Sequence, residues 1–366
     1  MSGVLTRLYR GETTFNFVGR RWWGFGLSLF LIVVTMLSLF TRGLNLGIDF
    51  EGGVAWEVPA TSITIEDVTA ILEANRVDTA DAKIQSLNGS DGSRIRVQVA
   101  EQTAEVKSAV QSALAEKAKV DVQDVSVSSV SSSWGRSITE KAVRALLIFF
   151  VLVSVFIAWR FEWKMALSAI LAMVHDVLIS VGVYSITGLA VTPATVIAFL
   201  TILGFSLYDT IVVFDKVHDN TARYAASRVS YADITNVSMN QVLMRSINTS
   251  LAAVLPVLSL LVLGSWVLGA VALEEFAIAL LVGLLLGAYS SIFVATPLLA
   301  QFKTRESKYA SLADEIHTGS EMARIAGSGK KTIQRVAATA QDSEREVVLA
   351  SSALTHPPRP RKKRRR

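Results

Sequence analysis

Long apolar blocks constrain this chain more than any other feature of its sequence. The first covers residues 22–40, a stretch of 19 residues without a charged side chain. A helix of that length crosses about 30 Å of hydrocarbon at about 1.5 Å per residue. Comparable blocks lie near residues 145–159, 165–187, 191–213, 247–263 and 276–299. The sequence therefore predicts an α-helical membrane protein with six transmembrane helices.

The composition supports this prediction and excludes an ordinary soluble enzyme. Hydrophobic residues make up 51% of the 366-residue chain and charged residues only 18%, whereas globular proteins average about 25% charged residues. The first block is longer than the apolar core of a usual signal peptide, and no small-residue cleavage site follows it. We therefore interpret it as a retained helix.

Basic residues predict the orientation of the chain. Six spans place both termini on the same side of the membrane. Arg20 and Arg21 precede the first block, and Lys303 and Arg305 follow the last one, so the positive-inside rule makes this side cytoplasmic. We expect a cytoplasmic N-terminus over residues 1–21, transmembrane helix 1 over 22–40, transmembrane helices 2–6 over 143–300, and a basic cytoplasmic tail over 301–366.

The segment over residues 43–140 falls on the opposite side. It contains 8 Lys and Arg residues against 15 Asp and Glu residues. Its pattern predicts strands at 54–58, 82–87, 94–99 and 122–130, with helices at 64–74 and 103–117. This order is β-α-β-β-α-β, the ferredoxin-like arrangement. The predicted fold class is thus six transmembrane helices plus an α+β ferredoxin-like extracytoplasmic domain between helices 1 and 2.

The tail is strongly basic. From residue 303 onward it has 15 Lys and Arg residues against 7 Asp and Glu residues, and it ends in the basic run 361–366. Low apolar content and repeated charge predict disorder, apart from a weak helical stretch near residues 331–350. The expected partner of the tail is anionic lipid, since each basic residue near such a surface contributes about 1 kcal/mol. Binding to the ribosome or another RNA is the alternative.

The sequence predicts no cofactor and no metal. The chain has no Cys, which excludes thiolate chemistry and Cys-based metal sites. Its four His residues are too far apart in sequence to suggest a metal cluster. A P-loop pattern is also missing, so we expect no ATP site.

Ionisable side chains inside the apolar blocks are the candidate functional residues, because each costs about 2.5–3.5 kcal/mol on insertion scales. His175 and Asp176 lie about 16 Å along the third block, near the midplane of the membrane. Neighbours on a helix point about 100° apart, so we expect two separate contacts from them. A proton relay and a hydrogen-bonded pair that fixes helix packing are both open interpretations.

Asp209 and Arg245 form the second candidate set. Asp209 lies about 27 Å along the fourth block, and Arg245 lies at the start of the fifth. A carboxylate and a guanidinium at similar depth on consecutive helices can form a charge-assisted pair. Breaking that pair when Asp209 binds a proton would couple a proton gradient to helix movement. The alternatives are a static ion pair for Asp209 and simple positive-inside anchoring for Arg245.

Several motifs resemble the SecF family in their order and in their place relative to the spans. They are Gly47-Ile-Asp49-Phe-Glu51-Gly52-Gly53 after the first block, Ala172-Met-Val-His175-Asp176-Val in the third, Gly204-Phe-Ser206-Leu-Tyr-Asp209-Thr-Ile-Val-Val-Phe-Asp215-Lys in the fourth, and Arg245-Ser-Ile-Asn-Thr249-Ser250 in the fifth. The resemblance covers about residues 15–300. It places the family's membrane-embedded Asp and Arg on Asp209 and Arg245, and the family motif after helix 1 on Gly47, Asp49, Gly52 and Gly53.

The resemblance implies a non-enzymatic protein-export subunit related to resistance-nodulation-division transporters. Such a subunit would act with SecD beside the SecYEG channel and downstream of SecA, and would use the proton motive force to complete translocation of a preprotein. It would lie in the plasma (inner) membrane of a bacterium. A stand-alone proton-coupled exporter of a small solute or lipid and a membrane-anchored scaffold are the two other hypotheses.

Overall fold

Six long apolar helices dominate the structure, a computed structural model that describes residue 8 and residues 13–327 apart from 61, 90–91, 226, 268–270 and 314. We call them span 1 to span 6. In order they are Arg21–Arg42, Ser132–Arg160, Trp163–Thr187, Pro193–Arg223, Tyr231–Gly264 and Leu273–Thr304. Together with the four-stranded sheet described below, they confirm the predicted fold class.

The core of the bundle lies among spans 3 to 6. Span 6 approaches span 4 closely at Gly287, where an added Cβ atom would lie 2.9 Å from the Cβ atom of Ser206. Span 2 is peripheral and exposes apolar side chains such as Leu147 and Val151. The bundle therefore has a packed interior and an apolar outer surface, as expected for helices in lipid.

Exposed tryptophans mark one rim of the bundle. Trp23 at the start of span 1, Trp159 at the end of span 2 and Trp163 at the start of span 3 are all largely exposed. All three lie at the face that carries the N-terminal segment and the C-terminal end of span 6, which we call the termini face. Tryptophan rings favour the membrane–water interface, so this rim indicates where the bilayer ends.

The segment between spans 1 and 2 folds as an α+β domain. Its strands are β1 (Gly53–Pro59), β2 (Lys83–Gly89), β3 (Gly92–Val99) and β4 (Ser126–Val130), in the spatial order β2-β3-β1-β4 with every pair antiparallel. Its helices are α1 (Ile65–Ala74), which begins at a capping box formed by Thr64 and Asp67, and α2 (Ala104–Ala118), which is capped by Thr103. This is the ferredoxin-like topology.

One face of the sheet packs against α1 and α2. Trp56 at the centre of β1 is fully buried and is aligned with Val97 on β3 and Val127 on β4. Leu72 of α1 and Leu114 of α2 complete this core. Because strand side chains alternate between faces, the neighbouring residues of β1 and β3 point the other way, toward the bundle.

That second face of the sheet docks on the bundle through polar contacts. Arg96 on β3 pairs with Glu275 at the start of span 6 at 2.9 Å and with Glu57 on β1 at 2.7 Å. Burial disfavours the charged form of Arg96, but Glu275 and Glu57 outweigh it and hold the pKa of Arg96 above its ordinary value. Gln85 on β2 donates to the carbonyl of Gly188, which follows span 3, at 2.7 Å. The domain is therefore fixed to the ends of spans 3 and 6.

At the termini face, the first part of span 5 is covered by protein. The Asn240 side chain accepts from the Phe15 backbone N–H at 2.9 Å and donates to the Phe15 carbonyl at 2.8 Å. One turn earlier, Asn236 accepts from the backbone N–H of Val18 at 2.9 Å. The N-terminal segment therefore lies along span 5, held by two amide side chains.

The C-terminal segment packs on the same face. Asp233 of span 5 accepts from the backbone N–H of His317 at 2.7 Å and contacts its Nδ1 atom at 2.6 Å. Tyr309, Leu312 and Met322 are buried. These contacts contradict the predicted disorder for the described residues of 301–327. The physical reason is that apolar side chains of this segment are buried against the bundle. The remainder, including the predicted helical stretch near 331–350 and the basic run 361–366, lies outside the described residues.

Candidate functional site

Asp209 is buried in the bundle at the contact of spans 4, 5 and 6. Only 2% of its surface is exposed. The hydroxyl of Ser246 on span 5 lies 2.7 Å from each of its two carboxylate oxygens, and Ser291 of span 6 lies beside the same carboxylate. Among the described residues, its side-chain partners are thus hydroxyl groups.

Arg245 does not pair with Asp209, in contrast to the pairing considered from the sequence. No ion pair joins the two within the described part of the chain, and the Arg245 side chain is exposed on the outside of the bundle. The reason is helical geometry: Ser246 faces span 4, and its neighbour on the helix points about 100° away. The structure brings together Asp209 and Ser246, and it leaves Arg245 facing outward.

His175 and Asp176 are buried at the centre of a polar cluster. His175 Nδ1 lies 2.9 Å from Asp176 Oδ1, and His175 Nε2 lies 3.0 Å from Ser28 Oγ on span 1. Asp176 Oδ2 accepts hydrogen bonds from Ser206 on span 4 and Ser290 on span 6, both at 2.6 Å. The two residues reach different helices, as expected, but they also contact each other.

A π-helical segment in span 6 connects the surroundings of the two acids. It covers Ser291–Ala295, directly after the Ser290 that binds Asp176. Ser291 Oγ donates to the Gly287 carbonyl at 2.8 Å and lies 3.0 Å from the Thr210 hydroxyl. Such π-bulges are frequent at functional sites. Ser290 thus binds one buried carboxyl group, and its neighbour Ser291 lies beside the other.

The motif after span 1 lies in a different place and forms the joint between span 1, the sheet and span 2. The backbone N–H of Gly47 donates to the Val191 carbonyl at 2.9 Å, and Asp49 lies in the short helix Ile48–Glu51. Gly52 and Gly53 have φ of 79° and 120°, a region that favours glycine. A Cβ atom on Gly53 would lie 2.2 Å from the Val99 carbonyl. These four residues shape a backbone turn and do not contact Asp209.

The hydroxyl groups are the site residues that sequence reasoning missed. Ser28, Ser206, Ser246 and Ser290 are all less than 7% exposed, yet serine is common in membrane helices and carries little insertion cost. Only the three-dimensional arrangement distinguishes them from other serines. Within the described residues, no group of three or more His, Asp or Glu side chains could hold a metal ion.

Comparison with known proteins identifies the family. Residues 109–305 match the family described as "Protein export membrane protein SecD/SecF, C-terminal", and residues 37–55 match the "SecD/SecF GG Motif" family. The protein translocase subunit SecF of Mycobacterium tuberculosis is 44% identical over 308 residues, which is 82% of this chain and 70% of that protein. The chain belongs to the SecF family.

Other relatives in the family support this assignment. SecF of Streptomyces coelicolor is 40% identical over 85% of this chain and 82% of its own length. The crystal structure of SecDF from Thermus thermophilus superimposes with a TM-score of 0.72 at 32% identity, covering 81% of this chain. The match spans only 39% of that SecDF chain. Like its SecF relatives, this chain is a multi-pass membrane protein.

Proposed function

We propose that this chain is the SecF subunit of a protein translocase and that it uses the proton motive force, together with SecD, to complete preprotein translocation. The observation that carries the proposal is Asp209, a buried acid in the bundle whose described side-chain partners are hydroxyls. A hydroxyl accepts a hydrogen bond from a protonated carboxyl and donates one to a carboxylate. The contact with Ser246 therefore persists in both states of Asp209, which suits a group that binds and releases a proton.

The exposed position of Arg245 supports a partner protein on this side of the bundle. An exposed guanidinium on the lipid-facing side of a span costs about 2.5–3.5 kcal/mol on insertion scales. A partner with an acidic or polar surface at this depth would remove that cost. The relative from Thermus thermophilus is named SecDF, and this chain covers 39% of it. We therefore assign the surface around Arg245 to SecD.

Span 6 offers a route from the proton site to the outer domain. Ser291 lies beside Asp209, and Glu275, 16 residues earlier in the same span, binds Arg96 of the sheet. At about 1.5 Å per residue these points are about 24 Å apart along one helix. A shift of span 6 when Asp209 changes its charge would thus move the docked domain.

The remaining assignments follow from the same proposal. The basic termini face would be cytoplasmic in a bacterial plasma membrane, and the sheet would face outward, where a preprotein emerges from SecYEG after the action of SecA. The basic run at the end of the chain would contact anionic lipid. No catalytic role is assigned to any residue.

The test is gradient-dependent release of a secreted precursor from vesicles that contain SecYEG, SecA, SecD and this chain. We expect Asp209→Asn, which is nearly isosteric but cannot ionise, to abolish the gradient-dependent part. Asp215→Asn is the matched control, because Asp215 lies on the same span but is half exposed and paired with Arg160. An unchanged gradient response in Asp209→Asn, at normal abundance, would refute the proposed role of Asp209.

A further inference from the structure

A second buried acid is left without a role by the proposed function. Asp176 is 1% exposed and receives three hydrogen-bonding partners from three spans: His175 at 2.9 Å and the hydroxyls of Ser206 and Ser290 at 2.6 Å each. Both hydroxyls approach the same oxygen, Oδ2. A pair that only fixes packing needs one such contact, and an ionisable group in a span has a cost that packing alone does not explain.

We propose that Asp176 is a second proton-binding site, and that its occupancy is coupled to that of Asp209 through the hydroxyls of Ser290 and Ser291. The proposal rests on the proton-binding role proposed for Asp209 and extends it to a two-site network. The ligand is the proton itself, taken up by the Asp176 carboxylate and released again, without transfer of electrons.

The coupling follows from the donors and acceptors around Ser290. An ionised Asp176 accepts from both Ser206 and Ser290 at Oδ2. A proton on Oδ2 is donated to one of these two hydroxyls, and that hydroxyl then turns its own hydrogen to another acceptor. For Ser290 that acceptor is already in place: the Gly287 carbonyl lies 3.3 Å from its Oγ atom.

The carbonyl of Gly287 also connects this hydrogen-bond network to Asp209. This carbonyl accepts from Ser291 Oγ at 2.8 Å, so Ser291 and a turned Ser290 share one backbone oxygen. Sharing the oxygen weakens the hydrogen bond from Ser291, whose hydroxyl then donates more readily to Asp209 beside it. A proton on Asp176 thereby strengthens the hydrogen bonding of an ionised Asp209, and the two sites influence each other.

The ionisable groups around Asp176 are few. His175 is its neighbour on span 3, Asp209 is the acid on span 4, and Tyr289 on span 6 reaches the cluster through Ser28 at 3.0 Å. Span 1 has no ionisable residue between Arg21 and Arg42. In the described residues no Lys or Arg side chain pairs with Asp176, so a proton is the charge that this site can exchange.

The experiment is infrared difference spectroscopy of the full chain with SecD in vesicles, titrated with pH. We expect two protonated-carboxyl bands, one lost in Asp176→Asn and the other in Asp209→Asn. We also expect Asp176→Asn and Ser291→Ala to move the midpoint of the Asp209 band by about one pH unit. The control is Ser168→Ala, because Ser168 is equally buried on span 3 but bonds only its own helix, at the Lys164 carbonyl.

Two results would overturn the proposal. If Asp176→Asn leaves all carboxyl bands in place, Asp176 binds no proton. If both bands exist in the wild type but the midpoint of the Asp209 band is unchanged in Asp176→Asn and Ser291→Ala, the two sites are not coupled. Precursor release by Asp209→Asn is a separate measurement, so failure of the export proposal is distinguishable from failure of this one.

Discussion

At the scale of single residues, the Asp209 carboxylate depends on one hydroxyl of span 5. We expect Ser246→Ala to slow gradient-dependent precursor release about tenfold or more, because a hydrogen bond to a charged group contributes about 1.5–3 kcal/mol. The control is Ser259→Ala, since Ser259 is exposed on the same span and bonds only the Leu255 carbonyl. Equal rates in the two variants would show that Ser246 does not support Asp209.

A second residue-scale prediction concerns His317. Its hydrogen bond with Asp233 raises the pKa of His317 above the ordinary value of 6.5, with slight burial acting in the opposite direction. A raised pKa means that the contact is strongest below about pH 6.5 and is lost as the pH rises through the pKa in the folded protein. His317 is partly exposed, so the effect is below about 1 kcal/mol.

The measurement is hydrogen exchange of the backbone amides in 317–326, corrected for the intrinsic effect of pH. Protection should fall between pH 6 and pH 8.5 in the wild type and be lower and pH-independent in His317→Ala. His218→Ala provides the control, because His218 is exposed on span 4. Protection that does not change with pH in the wild type would argue against a charged His317 in this contact.

Residue types explain which part of the site was predictable. Asp176 and Asp209 are detectable because an acid inside an apolar block is costly and therefore rare. Ser246 and Ser290 are not detectable in this way, since a serine can bond to its own helix backbone and leaves no mark on hydropathy. The pairing of Asp209 with Arg245 failed because sequence distance fixes depth along a helix but does not show which side chain turns inward.

At the scale of elements, the sheet and span 6 are joined by a nearly buried ion pair. Removing one partner of such a pair costs about 3–5 kcal/mol, whereas replacing both with apolar residues is often neutral. We therefore expect Arg96→Met to loosen the docked domain and the double variant Arg96→Met/Glu275→Met to restore most of the docking, because Glu57, the other partner of Arg96, is partly exposed and stays hydrated. Arg144→Met is the control, because its pair with Glu140 is exposed.

Docking can be followed with a bifunctional thiol reagent that joins cysteines placed at Ser86 on β2 and Thr187 at the end of span 3, both of which are exposed. The chain has no native Cys, so the introduced pair has no competing thiol within the chain. A lower yield in Arg96→Met and recovery in the double variant are expected. Equal yields in all variants would mean that the ion pair does not hold the domain.

The elements were predictable where one physical signal dominates. Apolar length located every span, and the hydrophobic pattern located α1 and α2, which Thr64 and Thr103 cap. Span 5 begins at Tyr231, 16 residues before the predicted block, because its first part contains Asn236 and Asn240. Protein segments rather than lipid cover that part, and hydropathy does not report such burial.

At the scale of the whole molecule, one side of the bundle is expected to be covered by SecD. Gly204 and Tyr208 are exposed on span 4, as Arg245 is on the neighbouring span 5, and an added Cβ atom on Gly204 meets nothing within 4 Å. We expect Gly204→Cys to react with a membrane-permeant thiol reagent at least about tenfold more slowly when SecD is co-expressed, since a packed interface excludes the reagent. Val151→Cys, on the exposed side of span 2, should react equally in both cases.

If SecD protects the cysteines at positions 204 and 151 equally, or protects neither, the Arg245 side is not its docking surface.

The overall placement of the domain on the bundle was not predictable, because its contacts combine strands with span ends far away in sequence. Arg96 and Glu275 are 179 positions apart. Neither residue lies in a local sequence pattern that would predict its partner.

The packing of residues 15–18 and of the segment around His317 on span 5 has a consequence for biosynthesis. Asn236 binds Val18, 218 positions earlier, and Asp233 binds His317, 84 positions later. When the first part of span 5 leaves the ribosome, the N-terminal segment that packs on it has been synthesised, but the C-terminal segment has not. The amide and carboxylate side chains of span 5 stay hydrated until residues 307–326 are synthesised. A chain truncated before Tyr309 would therefore display an uncovered polar helix at the termini face, a feature that membrane quality-control proteases could recognise.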